Sequence, residues 1–407
     1  MPALLIVYAI LLLSCGTNSS SSVSTENTSD STNNPPVETA AANSSYPAAF
    51  VGQTRIGGVK TSAAWEGTVL TKELSKPWGL AGLPDGRLLI TEKGGNMRIA
   101  TSGGQLSGVI TGLPPVDASG QGGLLGVTID PQFAANRMVY WSFSERSAGG
   151  TVTAIGKGVL SADEKTIQNA TVIYRAGPAY DGDKHYGGRL LFDGAGNLLI
   201  STGERSDLVT RPQAQDTKSG LGKIIRITKE GQAVAGNPFK DSTGNRPEIF
   251  SYGHRNPQGL AIHPVTKEIW DSEMGPRGGD EINILKAGVN YGWPTITYGI
   301  EYSGEKINNG KTKQEGMEQP VYYWDPVLSP SGMTFYNGDN MPEWKNNLFI
   351  AGLSKHIARL VIENNKVTGE ERLLANEGQR FRDVAQGADG VLYAITDEGR
   401  LYRIAKK

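Results

Sequence analysis

From about residue 60 to the C-terminus, short stretches of alternating apolar and polar residues come in pairs, each pair joined by a turn of Asp, Pro, Asn or Gly. Six copies of this phrase can be read: "WGLAGLPDGRLLITE" from 78, "LLGVTIDPQFAANRMVYWSF" from 124, "GGRLLFDGAGNLLISTGE" from 187, "QGLAIHPVTKEIWDSE" from 258, "SGMTFYNGDNMPEWKNNLFIAG" from 331 and "RDVAQGADGVLYAITDE" from 382. A period of two marks strands, and residues that tolerate positive φ between two such strands mark hairpins. Roughly 350 residues over six copies leave about 58 for each, room for four strands and long loops. The pattern predicts an all-β fold: a six-bladed β-propeller of four-stranded antiparallel blades, occupying residues 47–407. A β-sandwich followed by a second domain is the alternative, and it leaves the even dispersal of the repeats unexplained. Successive copies start between 46 and 73 residues apart, so long loops are expected on the face that carries function.

One apolar run stands outside this pattern, "ALLIVYAILLLSC" at 3–15. It is short for a bilayer span but suits the core of a secretory signal. Its end, Leu12-Leu13-Ser14-Cys15, resembles a bacterial lipobox, so residues 1–15 read as a lipoprotein-type signal peptide ending at a lipidated Cys15. An ordinary cleaved signal is the alternative. Residues 16–45 hold 19 Ser, Thr or Asn out of 30, and 16–46 are expected to be a disordered tether. The expected location is extracytoplasmic, in the periplasm or on the cell surface, with membrane attachment through Cys15 only.

The 40 Lys and Arg nearly balance the 41 Asp and Glu, for a net charge of −1. That removes the basic excess on which nucleic-acid binding depends. Cys15 is the single cysteine, which excludes disulfides and cysteine-ligated zinc within one chain. The four histidines are scattered. His185 lies in "YDGDKHYGGRLLF", a polar loop just before a strand, and Glu204 follows 19 residues later at the end of the next strand. In a regular hairpin the two meet at one edge, where a carboxylate on one imidazole nitrogen raises the basicity of the other. An exposed loop histidine beside an unrelated rim glutamate remains the alternative. In "SYGHRNPQGLAIHP", Arg255 and Asn256 precede Pro257 in a rigid turn. Arg380 and Arg382 in "GQRFRDV" form either a clamp for carboxylates or phosphates or a solvated charged face. Met274-Gly275-Pro276 presents carbonyls close to Asp280, oxygen chemistry that suits calcium without the spacing of an EF-hand.

Together "GQGGLLGVTIDPQF", "HYGGRL", "GHRNPQGLAIHP", "GPRGGDEINILKAGVNYGWP" and "RFRDV" resemble, in content and order, the soluble glucose dehydrogenases that depend on pyrroloquinoline quinone (PQQ), and more closely the related aldose sugar dehydrogenases. The resemblance spans about residues 65–405. It implies a propeller with the quinone in a pocket on its top face, an aldose sugar as substrate, oxidation to a lactone and an external electron acceptor. It implies His185 as the base, Glu204 as its orienting acid, Gln121 facing substrate and quinone, and Arg255 and Asn256 at the quinone's reactive edge. Arg380 and Arg382 match the clamp on its carboxylates, and Trp324 an aromatic wall over the pocket. A quinone-contacting lysine falls near "GLSKHIARL", which points to Lys355. Gly275 and Pro276 match the carbonyls that hold Ca2+, with Asp280 behind them. Lys184 stands where the glucose enzymes carry an acid. A calcium-dependent lactonase and a non-catalytic binding propeller are the competing functions.

Overall fold

The computed structural model describes Met1 and residues 34–407; Cys15, the signal and the tether up to residue 33 lie outside the described residues. Numbered in chain order, β1 (Trp65–Thr71) stands apart from the first blade, which holds β2 (Pro77–Gly82), β3 (Leu88–Glu92) and β4 (Asn96–Ala100). The second is β5 (Leu124–Ile129), β6 (Met138–Ser147), β7 (Gly150–Leu160) and β8 (Ile167–Tyr180). The third is β9 (Leu190–Phe192), β10 (Leu198–Thr202), β11 (Lys223–Ile227) and β12 (Ile249–Tyr252). The fourth is β13 (Pro257–Ile262), β14 (Ile269–Glu273), β15 (Asp280–Leu285) and β16 (Tyr322–Trp324). The fifth is β17 (Pro330–Phe335), β18 (Leu348–Gly352), β19 (His356–Glu363) and β20 (Lys366–Leu373). The sixth takes β21 (Phe381–Gln386), β22 (Leu392–Thr396) and β23 (Leu401–Lys406) from the C-terminus and completes itself with β1, paired antiparallel to β23.

The six repeats are the first two strands of the six blades. First strands of successive blades neighbour one another all the way round, from β2 through β5, β9, β13, β17 and β21 back to β2, which closes a ring. Five blades have four strands; the first has three, and an isolated bridge from Met97 to Ile110 stands in the fourth place. Second strands lie between two blades, and four of the six, LLITE, LLIST, LFIAG and LYAIT, are buried throughout. A strand covered on both faces has no polar side to show, hence the near-continuous apolar sequences. Between blades four and five, Trp270 and Ile282 pack on Met333, Leu348 and Ile350, and each further pair of blades is joined in the same way.

Residues 34–46, which the sequence placed in the tether, are bonded to the propeller as a strap. The Asn43 and Ser44 amides donate to the two oxygens of Asp325 at 2.8 and 3.1 Å, Glu38 pairs with Arg372 at 2.6 Å, and Pro36 bridges Gly57. Backbone satisfaction by side chains far along the chain holds a sequence with little to bury. No helix among the described residues is long and apolar enough to cross a membrane.

Candidate active site

A cavity of about 500 Å³ opens where the first strands begin and the second strands end. Lys93, Met274, Leu353 and Asp397 line it, each the residue that follows the second strand of its blade. From the starts of first strands come Lys76, Trp78, Gln258, Ser329, Arg380 and Arg382. Four cationic side chains therefore surround a single carboxylate. Arg382 grips Asp397 with Nε on Oδ1 at 2.8 Å and Nη2 on Oδ2 at 3.1 Å, and Arg380 Nε reaches Oδ2 at 2.9 Å. Burial, then Lys76 and Arg382, hold the Lys93 ammonium below its ordinary pKa. The excess positive charge asks for an anion.

His185 is buried, 5% exposed, on the loop before β9. Its Nδ1 is 2.5 Å from Glu204 Oε1, so the proton belongs on Nδ1 and Nε2 carries the free lone pair. Burial first, and then the Arg255 guanidinium, push its pKa down to about 4 against the pull of Glu204. It is therefore neutral at physiological pH, with Nε2 free to accept a proton. The backbone of His185 has φ +48, a conformation that a non-glycine residue keeps only when its surroundings enforce it. Arg205 supplies much of that enforcement: Nε donates to the Lys184 carbonyl at 3.0 Å, Nη2 to the Gly182 carbonyl at 2.5 Å and Nη1 to the Thr151 carbonyl at 2.7 Å, with the guanidinium 4.1 Å from the Tyr186 ring centre. Gln121, on the cavity wall, accepts the His185 amide at 2.9 Å. Between Thr202 and Glu204, Gly203 is required, because a Cβ there would strike the His185 carbonyl and the Asn256 amide.

The "HRNP" turn interlocks blades three and four. Arg255 carbonyl accepts the Glu204 amide at 3.0 Å, and Asn256 Oδ1 accepts the Gly187 amide at 3.1 Å. The Arg255 guanidinium bonds the carbonyls of Met274, at 3.0 Å, and Gly275, and lies 5.1 Å from the Trp293 ring centre. Met274 lines both the main cavity and a small one that Arg255 also borders. Behind the turn, Asp280 accepts the amides of Gly275, Leu328 and Ser329 at 2.7–2.8 Å, and burial lifts its pKa to about 6.

Two expected residues lie elsewhere. Trp324 ends β16, the outermost strand of blade four, where it bonds Glu370 at 3.2 Å and packs in the core between blades. The aromatic wall is Trp78 instead, on the innermost strand. Lys355 sits exposed in the turn between β18 and β19 with φ +80, and Leu353, two residues before it, lines the cavity. The lysines on the wall are Lys76 and Lys93. Lys93 and Asp397 carry no signal of their own in the sequence, although each occupies the same position in its repeat as Met274.

A family model described as Glucose / Sorbosone dehydrogenase matches residues 74–403. The chain belongs to that family. It is 45% identical over 345 residues to the aldose sugar dehydrogenase YliI of Escherichia coli, covering 83% of this chain and 92% of that one. It is 26% identical over 410 residues to quinoprotein glucose dehydrogenase B of Acinetobacter calcoaceticus, covering 81% and 84%. Among solved structures, the soluble aldose sugar dehydrogenase of E. coli in its apo form superimposes with a TM-score of 0.81 at 44% identity, over 84% of this chain and all of that one. A PQQ-bound aldose sugar dehydrogenase from Streptomyces coelicolor gives 0.70 at 29% identity, over 86% and 100%.

Proposed function

We propose that this chain is a PQQ- and calcium-dependent aldose sugar dehydrogenase, oxidising the anomeric carbon of an aldose to a lactone outside the cytoplasm. The observation that carries the reading is the buried His185–Glu204 pair one hydrogen bond, through Gln121, from a cavity with four cations and one carboxylate. PQQ is a flat tricarboxylate, and the cavity suits it in charge and in having a flat indole, Trp78, on its wall. Arg380, Arg382 and Lys93 would hold the carboxylates, with Arg255 and Asn256 at the reactive edge. Calcium would be held by the carbonyls of Gly275 and Pro276. The Gly275 oxygen already faces a cation, the Arg255 guanidinium, and Asp280 fixes the turn.

Bound there, the quinone and its calcium ion supply an electrophilic carbonyl that accepts hydride from the sugar's anomeric carbon. The protein's part is proton transfer and positioning. His185 Nε2 takes the proton of the anomeric hydroxyl, and Glu204 on Nδ1 stabilises the imidazolium that forms. Arg255 places positive charge where negative charge develops. Loss of that hydride and of the hydroxyl proton turns the aldose into its lactone, and an external acceptor would take up the two electrons.

Quinone-free protein tests this directly, with dye reduction by aldoses as the readout. Activity should appear only when PQQ and Ca2+ are both added. Dye reduction in a chelated, quinone-free sample, or lactone hydrolysis in place of sugar oxidation, would refute it.

A further inference from the structure

One side of the β14–β15 pair gathers ionisable groups with no basic side chain opposite them. Asp271 and Glu273 lie two apart on β14, and their ladder partners on β15 are Asn283 and Glu281. Residues two apart share a face. The His254 ring packs against this face, its Nδ1 3.2 Å from Glu273 Oε1 and 3.7 Å from Asp271 Oδ2. His254 and Asp271 are 0% exposed and Glu273 is 3% exposed. Both oxygens of Asp271 and Oδ1 of Asn283 are buried without a hydrogen-bond partner. Among the described residues, neither Asp271 nor Glu273 is ion-paired with a Lys or Arg side chain. The guanidinium of Arg255, next to His254 in the chain, is spent on the Met274 and Gly275 carbonyls.

The imidazole sharpens the point. Its Nε2 is 2.9 Å from Ser251 Oγ. Its Nδ1 hydrogen-bonds Glu273 Oε1 at 3.2 Å and Asn283 Nδ2 donates to the same oxygen at 3.3 Å, so without a metal it is Asp271 that is left with no donor. A carboxylate with no donor in a dry site is strongly unfavourable unless a cation or a proton compensates it.

We propose that His254 Nδ1, Asp271, Glu273 Oε1 and Asn283 Oδ1 ligate one divalent transition-metal ion of the zinc type, as a closed structural site within blade four. The donor atoms of His254, Asp271 and Glu273 all lie within 4.8 Å of one another. A tetrahedral ion with bonds of about 2.0–2.1 Å separates its ligands by roughly 3.3 Å, close to the 3.2 and 3.7 Å between His254 Nδ1 and the two carboxylates. Two carboxylates and a neutral imidazole balance a 2+ charge. The nitrogen donor favours zinc over calcium, and a hydroxyl anchoring the far N–H is the usual support of a metal-bound histidine. The site shares no atom with the Gly275–Pro276 turn. It does reach the active site: Glu273 Oε2 accepts the Arg255 amide at 2.7 Å, so an ion on Oε1 would fix the turn that presents Arg255 and Asn256. A proton is the rival occupant, because burial together with Glu273 and Glu281 raises the Asp271 pKa well above the ordinary value.

The test is metal content and spectroscopy of the full chain, purified without quinone from cells grown with Zn2+ or with Co2+. The wild type should carry about one ion per chain that survives gel filtration with excess Ca2+, and the Co2+ form should show the intense visible bands of a tetrahedral site. Asp271→Leu and His254→Gln should lose both ion and bands, with affinity for added Zn2+ reduced by at least about 100-fold. A wild type that retains neither Zn2+ nor Co2+ would establish the proton as occupant and overturn the proposal, whether or not the variants fold. Unchanged Zn2+ binding in folded Asp271→Leu would overturn it equally.

Discussion

Arg189, at the entry to blade three, and Asp383, in the first strand of blade six, form an ion pair at 2.5 Å across the centre of the ring, 194 residues apart in sequence. Both are nearly buried, with side chains 7% and 3% exposed. The guanidinium also donates to the Gln258 carbonyl of blade four at 2.8 Å and lies 4.7 Å from the Trp78 ring centre of blade one. The carboxylate accepts the Leu80 amide at 2.9 Å. Blade five contributes a glycine, Gly332, where a Cβ would collide with this pair. Five blades thus meet at one buried charge pair.

Removing one partner strands the other charge, so Arg189→Leu should destabilise the fold by about 3–5 kcal/mol in urea titration. Adding Asp383→Leu should recover part of that loss. A double variant no more stable than Arg189→Leu would mean that the pair's hydrogen bonds to blades one and four, not its charges, hold the hub.

At the catalytic pair, His185→Ala should lower kcat by about 10²- to 10⁴-fold with little change in quinone affinity. Glu204→Gln should cost less, since it weakens orientation without removing the proton acceptor. Single-turnover reduction of bound quinone by sugar separates the two effects, and a wild-type rate in His185→Ala would place the base elsewhere.

The pH dependence has a definite sign. With its pKa down at about 4, His185 loses its base form only in acid, so kcat/KM should rise with pH through about 4 and then level off. In the unfolded chain the same imidazole takes its proton near 6.5. Between the two values unfolding binds a proton, and the contribution of His185 to stability should shrink as pH falls through that window. Replacing Arg255 by Met, which removes the second cause of the depression, should shift the acid limb upward.

Arg382 and Arg380 share Asp397 but differ in exposure, with side chains 14% and 45% exposed. A charge-assisted hydrogen bond contributes more where water is excluded. Arg382→Ala should therefore weaken PQQ binding by about 10- to 100-fold, matching the ~1.5–3 kcal/mol of such a bond, and Arg380→Ala by less. Equilibrium titration of quinone fluorescence would measure both.

The two tryptophans offer a sharper contrast. Trp78→Ala should weaken quinone binding. Trp324→Phe should leave it unchanged while costing about 1–3 kcal/mol of stability, because Glu370 loses a buried donor. An affinity loss in Trp324→Phe would reverse the assignment.

The blades could be read along the chain because alternation and turn chemistry are local. Each quoted repeat, from "WGLAGLPDGRLLITE" to "RDVAQGADGVLYAITDE", became the inner hairpin of one blade. His185 and Glu204 could be paired for the same reason, as residues flanking one hairpin. Distance from the propeller axis is not local. Trp324 and Trp78 both sit in apolar strands, and only the position of each strand within its blade separates a core residue from a cavity wall. Lys93 and Asp397 reach one cavity from blades one and six, neighbours only because β1 joins β23 and closes the ring. The strap at 34–46 is polar enough to pass for a free leash; its partners, Asp325 and Arg372, lie some 280 residues or more away along the chain. Alternation in a strand follows from the geometry of its own backbone, whereas the meeting of rim residues from different blades depends on closing the whole ring, and that is decided by burial and pairing between segments hundreds of residues apart.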